Sequence, residues 1–583
     1  MSGEGETVTV ITGKPSAAML SWSDGARATR TLAWAARLVG LLGVLAVAFR
    51  PIAHRLGPPV VDGLTPSLPA HVVASTLTVG AGIGLVLVGA GLRRRKRRAW
   101  QAAVVLAVLL LALHVMSHRG WVAVLVTAVL LVALVVRRDR FVALPDPVMG
   151  RWPAIVVFVQ LLVVGAVADT LILVVNRHEL AGDPSLVQRV EQVVLALVGV
   201  SGPLVFRHEL VDDLTAAIGG WSTVAAVLVG GYFLLRSAEP KSALASDDET
   251  RARALLERHG RSDSLGYFAL RGDKSVVFSA SGKAAVAYRV LAGVALASGD
   301  PLGDAEAWPE AIKQFLHRCV AHAWTPAVLG CSERAATAWA RHGLAVLELG
   351  DEAVVATESF TLTGRRMRGV RQAVARIERA GYAARVRRVG DLADAERAEL
   401  GRLARSWRSG AERGFSMALS RVADPHDPDC VVVTAERDGA VHGILQFVPW
   451  GADGLSLDLM SRDGNAPDNG LMEFLIIALL GACPAMGMTR VSLNFAVFRA
   501  ALERGSRLGA GPVARLWAAL LRLGSRWWQI ESLYRFNDKF APTWVPRYLA
   551  FPAAHDLPRV ALAAMEAEGF GGRPPLLLRL LRR

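Results

Sequence analysis

Six stretches within the first 236 residues, at 32–49, 71–92, 99–117, 121–136, 153–175 and 214–235, consist almost wholly of Ala, Val, Leu and Gly. A helix needs about 20 apolar residues to cross a hydrocarbon core about 30 Å thick. Each run therefore reads as a membrane span, and 32–236 as a multi-pass α-helical domain behind a polar tail, 1–31. The tail has neither a basic start nor a small-residue cleavage site, so the first run reads as a retained anchor. An apolar patch at 193–206 is interrupted by Ser201, Gly202 and Pro203 and reads as a re-entrant or surface helix. Ionisable groups inside spans mark transport pathways; Asp169 and His114 are the main candidates, and the scarcity of others favours anchoring and lipid access over translocation.

Positive charge orients the spans, because Lys and Arg are retained on the cytoplasmic side. Arg93, Arg94, Arg95, Lys96, Arg97 and Arg98 follow the second run, and Arg137, Arg138 and Arg140 follow the fourth. Both loops are then cytoplasmic, and an even number of spans puts both chain ends there too. The chain carries 66 Lys and Arg against 51 Asp and Glu. That excess suits an anionic partner, nucleic acid or acidic lipid, although the basic loops supply part of it. The four cysteines, Cys319, Cys331, Cys430 and Cys483, are too widely spaced for a disulfide framework, a CxxC pair or a Cys-rich zinc site, and no His spacing supports a metal.

Residues 237–249 are small and polar, with a proline, the composition of a linker. Beyond them, short β-branched runs alternate with amphipathic helices. Strands are expected at 275–279, 284–290, 294–298, 325–330, 383–389, 430–436, 440–448, 454–460 and 490–494. Helices are expected at 308–323, 332–342, 365–380, 393–409 and 469–486. Hairpins mixed with helices give an α+β fold, and two cycles of similar length suggest a duplicated mixed-sheet domain over 250–552, with halves at about 250–360 and 361–552. A basic tail, 553–583, follows.

Four ordered motifs stand out in this region: Ser298-Gly-Asp-Pro-Leu-Gly-Asp304; Asp458-Leu-Met-Ser-Arg-Asp463 with Pro467-Asp-Asn-Gly-Leu-Met-Glu-Phe474; Ser492-Leu-Asn-Phe-Ala-Val-Phe-Arg499; and Ser532-Leu-Tyr-Arg-Phe-Asn-Asp-Lys-Phe540 with Trp544-Val-Pro-Arg-Tyr548. Together they resemble the phosphatidylglycerol lysyltransferase family, also called multiple peptide resistance factors, in a short form of the actinobacterial type without a fused lysyl-tRNA synthetase. The resemblance implies tandem acetyltransferase-like (GNAT-type) folds in a cytosolic catalytic domain on the inner membrane. It implies transfer of an aminoacyl group, most simply lysyl, from aminoacyl-tRNA to the glycerol hydroxyl of phosphatidylglycerol, with no other cofactor. Neutralising an anionic lipid in this way weakens attraction for cationic peptides. The implied partners are aminoacyl-tRNA, phosphatidylglycerol and other anionic lipid, a separate aminoacyl-tRNA synthetase and, as an open option, further copies of the chain in a homo-oligomer. A transferase of the same fold with a non-lipid acceptor, and a non-enzymatic lipid transporter, are the rival readings. No R-x-x-G-x-G/A pyrophosphate loop is present, which lowers the acetyltransferase alternative.

Acyl transfer to a hydroxyl needs a polarised ester carbonyl, a base or polarising group, cationic phosphate sites and, for a cationic amino acid, carboxylates. Lys539 is the sole lysine after Lys313 in a region that otherwise uses arginine, which points to a role for a compact point charge. Asp458, at an apolar strand's end, and Asn494 complete the expected catalytic set. Arg462, Asp463, Glu473, Arg535, Arg547 and Asp300 are expected to bind substrate: Arg535 and Arg547 gripping phosphates, Asp463 and Glu473, with Asp458, favouring a cationic amino acid. Glu473 reads equally as a complement to a helix dipole, Asp468 as a helix cap, and Asp300 as the support of a tight turn. Two basic helices, 513–528 with Trp527-Trp528 and 365–379, suit a lipid surface and RNA phosphates, or a solvated face. The tail 574–583 suits anionic lipid.

The orientation has a direct test. A reporter fused after Arg236 should be active in the cytoplasm only; periplasmic activity there would overturn both the span count and any reaction that uses cytosolic charged tRNA.

Overall fold

The computed structural model describes residues 17–48, 68–93, 95–116, 121–141, 152–182, 184–197, 202–207, 215, 218–227, 229–230, 242–408, 414–464, 468–497 and 530–569. They form two compact units, drawn mainly from Leu20–Ala238 and from residues 239–583. The expected cationic helix at 513–528 and the tail 574–583 lie outside the described residues.

The first unit is helical: α1 (Ala17–Ala48), α2 (Leu68–Arg93), α3 (Arg97–Met116), α4 (Trp121–Val136), α5 (Trp152–Val175), α6 (Leu186–Leu197) and α7 (Ile218–Val227). Among the described residues, two helices, Arg97–Met116 and Ile155–Val175, are long and apolar enough to cross a membrane. Small residues hold α1 to α4 together. A Cβ on Gly40 would lie 2.3 Å from the Gly82 carbonyl, and one on Gly91 2.5 Å from the Ala99 Cβ. Ala99, Ala103 and Ala107 form one fully buried stripe on α3. Backbones that approach through Gly and Ala, with valines such as Val105, Val129 and Val163 left exposed, give the packing of helices in lipid. The patch expected to be re-entrant or superficial begins within the last turns of α6. The 12 residues of that helix reach about 18 Å, short of a span.

The second unit is built on a twelve-stranded sheet, among the described residues in the order β1-β2-β3-β5-β12-β6-β11-β10-β9-β8-β7 with β4 beside β2. The strands are β1 (Ser275–Phe278), β2 (Ala284–Leu291), β3 (Val294–Ser298), β4 (Leu302–Gly303), β5 (Thr325–Cys331), β6 (Ala345–Ala356), β7 (Ala383–Arg388), β8 (Val431–Arg437), β9 (Ala440–Pro449), β10 (Gly454–Arg462), β11 (Arg490–Val497) and β12 (Thr543–Phe551). In each half an antiparallel meander leads into one parallel pair, β3 with β5 and β10 with β11. The crossovers are helices: α9 (Trp308–Ala321), and α13 (Leu471–Ala482) followed by a 3-10 turn. Residues alternate across the sheet. One face packs on α9, α10 (Glu333–Arg341), α11 (Arg368–Arg379) and α13, burying Phe315, Trp339, Phe447 and Phe474. The other carries a continuous core from Phe268 and Leu296 through Leu329 to Val432 and Val448, covered by α8 (Ser246–His259), α12 (Asp394–Ser406) and α15 (Leu557–Ala567).

The expected halves are not self-contained. β6, the last strand of the first half, pairs with β11 of the second, and β12, at the end of the second, inserts between β5 and β6. Each half is completed by a strand from the other. Neither exchanged strand was expected, because Glu348, Asp351 and Glu352 interrupt β6 and Pro546 interrupts β12. Pro546 is tolerated because β12 has there run past β5, whose last partner is Tyr548 opposite Cys331. Two helices also extend the expected domain: α8 begins inside the expected linker, and α15 packs on the core from within the expected tail.

At the exchange sits Arg547 of β12, 3% exposed. Its Nε and Nη2 donate to Glu352 Oε2 of β6 at 2.9 and 2.6 Å, Nη1 to Asp263 Oδ1 at 2.7 Å and to the Gly330 carbonyl of β5, and Nη2 to Ser264 Oγ. Removing one partner of such a buried pair strands the other's charge, at about 3–5 kcal/mol, whereas replacing both with apolar groups costs far less. Arg547→Met should therefore destabilise the full chain in detergent by about that amount, and adding Glu352→Leu should recover part of it. Denaturation curves check this, and a double variant worse than both singles would contradict it.

Candidate active site

The two parallel pairs end differently, and that difference locates the site. In the first half, β3 and β5 stay paired from Val294 opposite Thr325 to Ser298 opposite Leu329. Beyond that point the gap is closed by Asp300, whose carboxylate accepts from Ser332 N–H at 2.7 Å and Ser332 Oγ at 2.6 Å at the start of α10. Burial and the neighbouring Asp263 carboxylate push the Asp300 carboxyl up. Asp300, expected to bind substrate, is instead a buried strut, in keeping with the turn-supporting alternative.

In the second half, β10 and β11 pair only from Gly454 opposite Arg490 to Ser456 opposite Ser492. β10 then bulges between Leu457 and Leu459 and follows β9, while β11 shifts between Ser492 and Phe495 and follows β6. The strands part, and Asn494 stands in the opening. Its φ of +67° is costly for any residue but Gly, though Asn tolerates it best. The twist lets its side chain reach across, Nδ2 donating to the Leu457 carbonyl at 2.5 Å, while Oδ1 is buried with no hydrogen-bond partner. Its N–H donates to Ser492 Oγ, and Ser492 Oγ donates to Glu352. The opening is thus tied directly to the Arg547 cluster.

Two helices carry the rim. Glu473 is in the first turn of α13, and Lys539 directly follows α14 (Ile530–Asp538), which Asn537 Nδ2 fastens to the Leu493 carbonyl of β11 at 3.2 Å. Lys539 Nζ donates to Glu473 Oε1 at 2.7 Å, with the lysine side chain 46% and the glutamate 13% exposed. The two residues proposed from sequence for separate tasks are one ion pair. Arg462, at the end of β10, and Arg535, on α14, are exposed. Asp463 lies 3.6 Å from His442. Asp468, read as a cap, instead pairs with Arg437, and left-handed Gly470 precedes α13. In α11, Arg371 bonds the Leu362 and Gly364 carbonyls and Arg379 its own helix, on an exposed face.

Two expectations change. Arg547 does not present its guanidinium to a phosphate: a phosphate would have to displace two carboxylates. Asp458 is within β10 rather than at its end, and it is half-buried, its carboxylate accepting from Leu419 N–H at 2.6 Å and Gln446 Nε2 at 2.5 Å. Gln446 also accepts from Ala423 N–H and donates to the Arg421 carbonyl, so Asp458 anchors the segment 419–423 to the sheet. Sequence reading missed Glu352, Ser492, Gln446 and Asn537. Glu352 had a signal, an acid inside a β-branched run; Ser492 and Asn537 stand within quoted motifs but drew no role there, and Gln446 had no signal. Among the described residues, no group of three or more His, Cys, Asp or Glu is placed to hold a metal.

A family model described as phosphatidylglycerol lysyltransferase, C-terminal, matches residues 253–551. The lysylphosphatidylglycerol biosynthesis bifunctional protein LysX of Mycobacterium marinum is 49% identical over 365 residues, 62% of this chain and 33% of that protein. The protein of the same name from Mycobacterium tuberculosis (strain H37Rv) is 43% identical over 503 residues, 83% of this chain and 42% of its own length. The chain thus spans about a third of the length of the first curated relatives it matches. The structure of L-PGS from Bacillus licheniformis aligns with a TM-score of 0.50 at 22% identity over 57% of this chain and 99% of that one, which shows that the second unit has its fold.

Burial pushes the Asp458 carboxyl up to about 7, against the Leu419 and Gln446 bonds that favour its ionised form. A group whose folded pKa lies above its unfolded value of about 3.9 stabilises the fold while protonated, and that stability is lost as pH rises from about 4 through 7. Asp458→Asn cannot titrate, so its melting temperature relative to wild type should improve from about pH 5 to about pH 8. A relative decline over that range would contradict the assignment.

Proposed function

We propose a reaction for this chain from one premise: it belongs to the phosphatidylglycerol lysyltransferase family, whose C-terminal model covers residues 253–551. The chain transfers an aminoacyl group, most simply lysyl, from aminoacyl-tRNA to the glycerol hydroxyl of phosphatidylglycerol. The relatives named for lysylphosphatidylglycerol biosynthesis support the product class. The observation that carries the reading is the opening between β10 and β11, where Asn494 Oδ1 has no partner among the described residues, next to Leu493, to which Asn537 fastens the helix that Lys539 follows.

The hydroxyl oxygen of the lipid attacks the ester carbonyl, the bond to the ribose oxygen breaks, and the hydroxyl proton leaves with that oxygen. Glu473 receives the lysyl side-chain ammonium. In the free chain this position is filled by Lys539, an ammonium on the same four-carbon stem as the substrate's. Entry of the lysyl group then exchanges one ammonium for another at Glu473 and frees Lys539, whose point charge offsets the negative charge developing on the carbonyl oxygen. Asn494 Oδ1 accepts from the α-amino group, and Arg462 and Arg535 hold phosphates. Asp458 and Arg547 act through position, holding the segment 419–423 and the exchanged strands. The first unit spans the membrane six times and delivers the second to the cytoplasmic face, where charged tRNA and the lipid headgroup are both at hand.

Expression in a host that lacks lysyl-phosphatidylglycerol should produce a new ninhydrin-positive phospholipid on thin-layer plates; its absence, with the protein in the membrane, would count against the reaction. In detergent, Lys539→Ala should lose about 10²–10³ in turnover, with Lys539→Arg recovering only part because a fork cannot replace a point charge. Glu473→Gln should raise KM for lysyl-tRNA and leave alanyl-tRNA little changed. Equal losses on both donors would make Glu473 structural.

A further inference from the structure

The membrane unit holds an ionisable group that the transfer reaction does not use. α5 carries one ionisable side chain in 24 residues, Asp169. Gly165, Asp169 and Leu173, spaced four apart, are its buried stripe, while Val163, Val164, Val167 and Leu171 on the remaining faces are exposed. The carboxylate therefore points into the unit. It is 0% exposed, and among the described residues neither of its oxygens has a hydrogen-bond partner.

Its surroundings are closely packed and offer acceptors. A Cβ on Gly165 would lie 2.5 Å from the Ser222 Cβ, so α5 and the stretch Ile218–Val227 touch there. A Cβ on Gly219 would lie 2.3 Å from the Ala196 carbonyl oxygen and 2.7 Å from Asp169 Oδ2, so these two oxygens share the face of one glycine. Ala196 is the second-last described residue of α6. The nearby hydroxyls donate elsewhere: Ser222 Oγ to the Ile218 carbonyl, Thr223 Oγ1 to Leu197 and Thr170 Oγ1 to Ala166. Among the described residues, α6 contributes only Arg189 and Glu191 as charged groups, both exposed, and Ile218–Val227 contributes none. An ionised Asp169 would thus face carbonyl oxygens without a donor. A neutral carboxyl supplies the missing donor itself, and an intramembrane carboxyl of this kind belongs to proton-binding chemistry.

We propose that Asp169 and the Ala196 carbonyl form a proton-binding site inside the membrane unit, the carboxyl staying neutral at neutral pH with its O–H directed at that carbonyl. The site is independent of aminoacyl transfer and survives if that reading fails.

Infrared spectra of the full chain in nanodiscs, with carbon-13-labelled aspartate, test it. At neutral pH the wild type should show a neutral-carboxyl stretch that shifts with the label and is lost in Asp169→Asn; neutral-carboxyl bands from other aspartates remain in that variant and do not interfere. Asp169→Glu should replace it with a band that the aspartate label does not shift. Gly219→Ala, whose Cβ would fall against both oxygens, should shift the band in a chain that keeps the carboxyl, covering the case in which Asp169→Asn fails to fold. A wild-type spectrum with no band that responds to either position would overturn the proposal. So would a band that appears only after sodium and potassium are removed, which would make this a site for a metal cation.

Discussion

Arg547 and the two carboxylates it joins are the interaction on which the second unit depends. A central strand that carries Glu352 cannot be buried unless the charge is answered, and the answer comes from β12, the last strand of the other half. Asp263, before the first strand, completes the set. A buried ion pair contributes little net stability but penalises every arrangement that leaves one member alone. Its consequence here is register: β12 can occupy the place between β5 and β6 only with Arg547 opposite Gly350, where the guanidinium meets Glu352.

The same cluster reaches the site in two bonds. Glu352 accepts from Ser492, whose oxygen accepts from the N–H of Asn494, so the strained residue in the opening is supported from the exchange. Left-handed backbone at a non-glycine residue persists where the surroundings over-determine it, and such residues gather at functional sites. The first half shows what happens without that device: its parallel strands stay paired to the end, and Asp300 closes the gap against Ser332. The two halves thus share a strand arrangement and differ in the opening between β10 and β11.

Much of the architecture was legible because most strands and helices have a clear period. Val294–Ser298 matches its expected bounds, and Gly454–Arg462 and Trp308–Ala321 fall within two residues of theirs. β6 and β12 were hidden by acids and a proline whose acceptability depends on partners distant in sequence. The site was legible in its residue types and not in its pairings: Lys539 stood out as a lone lysine and Glu473 as an acid at a helix start, but their ion pair forms across 66 positions. Asp458 and Arg547 were marked as chemically important, and their hydrogen bonds within the fold make both supports. Motifs report which side chains matter; whether one faces substrate or the interior is decided by tertiary packing.

The account turns on whether the aminoacyl group enters between β10 and β11 and takes the place of Lys539. A structure of the chain with a non-hydrolysable lysyl-adenosine amide would decide it. The lysyl ammonium should lie against Glu473, with Lys539 withdrawn toward the amide carbonyl and the α-amino group on Asn494 Oδ1. An analogue bound elsewhere, with the Lys539–Glu473 pair intact, would contradict it.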